Sequence, residues 1–162
     1  IKRVAQEGNW GKTMGLREGQ GLAFYFCHAA HVAELAEVSV DPADRVTLRK
    51  VTVVADVGPI INRSGAVSQI QGAVIDGYSA MVGQKITMEN GVIAETNLDS
   101  YPVLRIDAAP EIDVFFIESD YAPTGLGEPA LPPLAPAVAN AIFSATGRRV
   151  RKMPLSELGY SV

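Results

Sequence analysis

The chain has 162 residues, of which 48% are hydrophobic and 20% are charged, a composition typical of an ordered globular protein. This length predicts one domain with one core. The formal net charge of −4 argues against non-specific binding to nucleic acid or anionic membranes, which needs concentrated Lys and Arg. The single cysteine, Cys27, excludes an internal disulfide and a cysteine-based zinc or iron–sulfur site. No apolar run approaches the ~20 residues that a membrane-spanning helix requires.

The first third of the chain predicts strands. Residues 1–18 show no clear periodicity and are expected to lead into the fold as a loop or short helix. The apolar and aromatic run at 22–27 predicts a buried strand, and the alternation at the end of 32–40 predicts a half-buried one. After a turn at 41–44, the valine-rich residues 46–57 predict a second long strand, which forms a β-hairpin with the one before it.

Two helices are predicted further along. Apolar residues recur at helical spacing through 66–82, which predicts a long helix, with Asn62 or Ser64 as its cap. A second helix is expected at 133–146, ended by Gly147.

Shorter elements fill the remaining segments. Asn90-Gly91 predicts a type I′ hairpin, because both central residues of that turn need a positive φ. Residues 112–117 predict another strand, and 154–157 a final helical turn.

The order of these elements lacks regular βαβ alternation. It predicts an α+β fold, a two-layer sandwich in which two main helices cover one face of a mixed or antiparallel sheet. We expect residues 1–18 to form a leading segment and residues 19–162 to form the domain.

The turn before the second helix holds one carboxylate in a defined place. Gly125 and Gly127 allow unusual backbone conformations or a close approach to a ligand, and Pro129 fixes the chain just after Glu128. If Glu128 is buried here, loss of hydration would make it a better general base. The alternative is a loop carboxylate that accepts backbone N–H groups, and the pattern alone does not separate the two.

Other polar residues give weaker signals. Gly19-Gln20-Gly21 precedes a strand, whereas the dinucleotide fingerprint follows one. A packed or solvated role is favoured for His28 and His31 over a metal pair, and a catalytic role for Cys27 is weakly supported.

At the start of the long helix, two interpretations of the polar residues compete. Strand-end and capping roles are favoured for Asp56, Asn62 and Gln69 over binding of an anionic or polar cofactor at the helix N-terminus.

Residues 127–147, which begin Gly127-Glu128-Pro129 and end at Gly147, resemble the C-terminal signature of the molybdenum hydroxylases. That family includes xanthine dehydrogenase, aldehyde oxidoreductases and, most similar here, the large (beta) subunit of isoquinoline 1-oxidoreductase. Three further stretches agree in the same order, at 36–40, 56–72 and 97–112. The resemblance covers most of the chain, from about residue 19 to 151.

The resemblance implies specific roles. Glu128 would be the catalytic glutamate, the base in hydroxylation of an electron-poor carbon of an N-heteroaromatic or aldehyde substrate with water-derived oxygen. Gln69 would lie near the molybdopterin cofactor, and Gly125 and Gly127 would let the backbone approach it. Because the cofactor's own sulfurs hold the metal, no protein ligand to molybdenum is expected.

The resemblance also implies partners. The family's large subunit is several times longer, so we expect this chain to be a C-terminal fragment that works with the rest of that subunit, a small iron–sulfur subunit and a small-molecule substrate. The isolated chain is expected to be inactive and to bind cofactor weakly or not at all. Two alternatives stay open, a non-catalytic binding or interaction domain in which Glu128 is structural and a hydrolase that uses Glu128 and water. The compartment, periplasmic or cytoplasmic, also stays open.

Overall fold

The computed structural model describes residues 1–162, which form a mixed sheet, a small hairpin and three α-helices. The helices are α1 (Lys2–Glu7), α2 (Arg63–Gly83) and α3 (Leu134–Thr146). The strands are β1 (Glu18–Cys27), β2 (Ala30–Val40), β3 (Val46–Asp56), β4 (Met88–Glu89), β5 (Val92–Ile93) and β6 (Glu111–Phe116). Short 3₁₀ turns occur at Ile106–Ala108 and Leu155–Leu158. None of the helices is both long and apolar enough to cross a bilayer.

The main sheet has four strands in the order β1-β2-β3-β6. The first three are antiparallel neighbours, and the predicted β2–β3 hairpin is confirmed. Strand β6 runs parallel to β3, an arrangement that needs a long crossover connection, and α2 with the loop after it supplies that connection. The predicted α+β class with a mixed sheet is therefore confirmed.

Helices α2 and α3 pack on one face of the sheet. Their apolar side chains, such as Ile70 and Tyr78 from α2 and Val138 from α3, join strand residues such as Val32 and Val53 in a core of 25 buried residues. This is the two-layer arrangement that the sequence predicts.

Helix α3 lies directly against β1 because two glycines leave no side chain between them. A Cβ atom at Gly21 would lie 2.1 Å from the Ala137 carbonyl oxygen, and one at Gly19 would lie 2.4 Å from that of Ala141. Both distances are far below van der Waals contact, so this end of the interface depends on glycine. The glycines thus fix how α3, and the turn that precedes it, sits on the sheet.

The short helix α1 covers part of the opposite face. Its Val4 is fully buried with Leu35 of β2 in a smaller apolar cluster. The Gln20 side chain donates to the backbone carbonyls of Gly8 and Asn9, which ties the segment after α1 to β1. The leading segment thus contacts the domain closely, and the division at residue 18 stays a prediction.

Two burial predictions are wrong. Strand β2 is buried almost throughout rather than half-buried, because α1 covers one of its faces and α2 and α3 the other. The second half of β1, predicted to be buried, exposes Phe24, Tyr25 and Phe26 by 44%, 46% and 58%. Strand β1 lies at the sheet edge. Phe24 and Phe26 lie on the face that α1 covers only near Gln20, and Tyr25 lies on the opposite face.

The predicted caps and turns are present. Asn62 is the N-cap of α2, and its Oδ1 accepts the Gly65 N–H at 2.9 Å. Gly147 ends α3 with a φ of 73°. Asn90 and Gly91 have φ values of 52° and 82° and join β4 to β5.

Candidate functional site

The Glu128 turn leads directly into α3, as predicted. The Leu131 N–H donates to the Glu128 carbonyl at 2.9 Å, and Pro129 and Ala130 are buried behind it. Gly125, Gly127 and Glu128 stay exposed on the outer side of the turn. A turn anchored on one side and open on the other presents its carboxylate outward, at the edge of the sheet.

The side chain of Glu128 is 77% exposed in this chain, so the burial considered for it is not found. Its Oε2 lies 3.2 Å from Nε2 of His28, which is itself 66% exposed. These two residues line an open concavity of about 330 Å³ with Gly125, Gly127 and Pro129. Any exclusion of water from the carboxylate must come from another body that closes over this concavity.

Gln69, in the second turn of α2, lies beside the Glu128 turn. Its Nε2 is 3.6 Å from the position that a Cβ atom at Gly127 would occupy, so the amide faces the glycine of the turn. The side-chain hydrogen bonds at this end of α2 use Asn62, Ser64 and Ser68 and leave the Gln69 amide free. The structure therefore brings together all four residues expected at the site.

His28 reaches Glu128 from the turn between β1 and β2. Cys27 and Ala30 are paired, so His28 and Ala29 alone form the loop, with φ values of 50° and 65°. A two-residue loop with both φ values positive is the type I′ geometry, which normally takes Asn-Gly. His-Ala carries no such signal, and 100 residues separate His28 from Glu128, so the sequence analysis did not find this contact.

The other polar candidates lie outside the concavity. His31 packs among aromatic rings, with centroids 4.9 Å from Phe26 and 6.1 Å from Tyr121. Asp56 accepts the Ser119 hydroxyl at 2.5 Å, and Asn62 acts as a helix cap. No group of three or more His, Cys, Asp or Glu side chains is placed to hold a metal ion.

A second carboxyl group, which the sequence analysis missed, lies inside the core. Glu34 in β2 is fully buried, between Ala23 of β1 and Val53 of β3, and neither of its oxygens has a hydrogen-bond partner. Burial raises the pKa of Glu34 well above its usual value, because the low-dielectric core disfavours the charged form. It belongs to the packed part of the domain and not to the open site.

The comparisons with known proteins agree with the resemblance seen in the sequence. Residues 2–110 match the profile of the molybdopterin cofactor-binding domain. The matched range includes Gln69 and ends before the Glu128 turn. A membrane-bound aldehyde dehydrogenase [pyrroloquinoline-quinone] from Gluconacetobacter polyoxogenes is 35% identical over 96% of this chain and 21% of its own length. Isoquinoline 1-oxidoreductase subunit beta from Brevundimonas diminuta is 29% identical over 96% of this chain and 20% of its own.

A solved structure has the same fold. Quinoline 2-oxidoreductase from Pseudomonas putida 86 superposes with a TM-score of 0.71 at 20% identity, over 78% of this chain and 17% of that one. The chain spans about a fifth of the length of the two sequence relatives. The family profile and the fold lead to one assignment: the chain belongs to the molybdopterin cofactor-binding domain family of the molybdenum hydroxylases.

Proposed function

We propose that this chain is the part of a molybdenum hydroxylase that presents the catalytic base, Glu128, to an electron-poor carbon of an N-heteroaromatic or aldehyde substrate. One observation carries the proposal. The Glu128 turn and the β1–β2 turn line one open concavity, and the Gln69 amide of helix α2 lies beside Gly127 of that turn.

The residues around the concavity fit the family's cofactor. Gln69 offers a free amide beside Gly127, and a Cβ atom at Gly125 would meet nothing within 4 Å. The exposed backbone of the two glycines thus leaves room for a planar group to approach, and the amide can hydrogen-bond its polar edge. These residues would contact the cofactor without ligating the metal, whose ligands would be the cofactor's sulfurs.

The net reaction adds water-derived oxygen to a C–H bond and yields C–OH, two protons and two electrons. When bound, the cofactor would supply the redox centre that takes up the electron pair. Glu128 would accept one proton as the C–O bond forms, a task that suits a carboxylate fixed by a short, anchored turn. That step needs a dry site, and Glu128 is exposed here, so another part of the enzyme must close over it.

The remainder of the large subunit is the proposed cover. Such a body would also bury the aromatic residues that β1 and the loop after β6 leave exposed, Phe24, Phe26 and Tyr121. Electrons would leave through a small iron–sulfur subunit, since this chain has one cysteine. The isolated chain is therefore expected to show no turnover and no stoichiometric molybdenum when incubated with the cofactor.

The test replaces Glu128 by Gln in the full-length enzyme loaded with its cofactor. Gln keeps the size of the side chain but cannot accept the proton, so we expect kcat to fall by roughly 10³-fold. Molybdenum content, measured by mass spectrometry, should stay unchanged. The matched control is Glu89→Gln on the exposed β4–β5 hairpin, which should leave kcat as it is.

Three results would contradict the proposal. Near-wild-type turnover of Glu128→Gln with full cofactor would favour an interaction domain in which Glu128 is structural. Activity in enzyme free of molybdenum would favour a hydrolase. Activity that depends on added pyrroloquinoline quinone instead would match the cofactor in the name of the Gluconacetobacter relative.

A further inference from the structure

The contact between His28 and Glu128 is the one polar interaction that the carboxylate makes with another element of the fold. It joins Nε2 of His28 to Oε2 of Glu128 at 3.2 Å. The other residues that line the concavity, Gly125, Gly127 and Pro129, have no polar side chain. Within this chain, His28 is therefore the one side chain placed to orient the Glu128 carboxylate.

The backbone holds that imidazole in place. His28 and Ala29 both have a positive φ, a conformation that is unfavourable for residues other than glycine. The ten residue pairs between β1 and β2 fix the register of this turn, so its two residues have no freedom to relax. Strain of this kind persists where the surrounding structure over-determines it, and it is frequent at functional sites.

The two strands and α3 also fix the distance between the partners. Gly19 and Gly21 seat α3 on β1, and the strand then continues to His28 while the helix begins just after Glu128. Because α3 and β1 run in opposite directions, the end of β1 lies near the start of α3. The packed interface thus places the backbone of His28 and that of Glu128 within side-chain reach of each other.

From this arrangement we propose that His28 is a positioning residue for Glu128, an inference that rests on the proposed function. The imidazole lies against Oε2 and leaves Oε1 free to accept the proton that the water-derived oxygen releases as the C–O bond forms. Contacts of this type are often long or poorly aligned in a ligand-free enzyme and tighten when substrate binds. Restricting the carboxylate to one orientation favours proton transfer without adding to substrate affinity.

The experiment compares two variants in the full-length, cofactor-loaded enzyme. His28→Phe keeps an aromatic ring and removes the donor, and we expect kcat to fall roughly tenfold, the scale of a misoriented catalytic group, with KM nearly constant. His28→Gln places an amide nitrogen near the position of Nε2, and kcat should return to within roughly threefold of wild type. Molybdenum content and melting temperature are measured for each variant, so that losses of cofactor or folding are recognised.

The outcomes separate this inference from the function itself. Wild-type kcat in a folded, loaded His28→Phe enzyme, alongside an inactive Glu128→Gln enzyme, would overturn the positioning role and leave the proposed function standing. An equal loss of kcat in His28→Phe and His28→Gln would also overturn it, because the loss would then come from a disturbed turn and not from the missing hydrogen-bond donor. An active Glu128→Gln enzyme would overturn both.

Discussion

The two ends of the β1–α3 pair differ sharply. At one end Gly19 and Gly21 let the strand backbone pack directly on the helix backbone, and both glycines are buried together with Ala137 and Ala141. At the other end His28 and Glu128 face each other across an open concavity with most of each side chain exposed. The closed end is packed within the chain, whereas the open end exposes the side chains that, under the proposed function, another part of the enzyme would cover.

This contrast assigns different tasks to the two ends. The closed end determines where α3 lies, and therefore where the turn before it places its carboxylate. The open end holds the residues to which we assign the proposed chemistry and stabilises the fold little, since contacts between exposed polar side chains contribute only about 0–1 kcal/mol. The variants below test whether stability and positioning divide in this way.

The largest effect on stability is expected from Gly21→Ala. The new Cβ would lie 2.1 Å from the Ala137 carbonyl oxygen and 2.2 Å from the Ala141 nitrogen, and neither backbone atom can move without α3. Overpacking of this kind should lower the free energy of unfolding by about 3 kcal/mol or more. Urea denaturation followed by circular dichroism measures the change.

The control for that variant is Gly72→Ala, where a Cβ would meet nothing within 4 Å. Because alanine is the better helix former, this change in α2 should raise stability by about 0.5–1 kcal/mol. A similar loss in both variants would show that the glycine at the closed end has no special role.

Glu34→Gln tests the buried part of the domain through the pH dependence of its stability. In the folded chain the pKa of Glu34 is raised by burial, so the folded state holds its proton at pH values where the unfolded state has released it. The free energy of unfolding of the wild type therefore falls as the pH rises above about 4.3, the pKa of glutamate in the unfolded chain. The variant should be the more stable at pH 8, and the difference should vanish near pH 4.

Thermal melts of both proteins across that range check the prediction. A difference that is constant with pH would show that Glu34 is not ionised on unfolding in the expected way, or that a counter-ion reaches it in the core.

A small effect is also expected at the open end, from Ala29→Gly. Glycine adopts the φ of 65° at no steric cost, which removes about 1–2 kcal/mol of strain. Part of this gain is offset because glycine has more conformational entropy in the unfolded chain. A net stabilisation of about 0.5–1 kcal/mol should appear in the denaturation midpoint. A loss of stability would mean that the turn is not strained.

Much of the fold could be predicted from the sequence because its signals are local. Alternating valines marked β3, Asn90-Gly91 marked the small hairpin, and Gly147 marked the end of α3. The parallel placement of β6 beside β3 was not specified, because strand pairing across a long connection leaves no local pattern.

The site was predictable in part for the same reason. Glu128 and its glycines form one continuous motif, and the resemblance added Gln69. His28 was not found, because its role depends on a turn whose sequence lacks the usual residues and on the packing of α3 against β1. Glu34 was missed because a charged residue in a strand gives no local sign that it is buried, and its burial depends on how the helices pack on the sheet.

The glycines at the closed end also bear on how such a domain can change over time. Any side chain at Gly19 or Gly21 would push the helix away, so the spacing between sheet and helix cannot be adjusted in small steps. Evolution or an engineer who seeks a new substrate must therefore leave that spacing alone and alter the loops at the far end. Glu128, the proposed base, would then keep its position while the residues around it change.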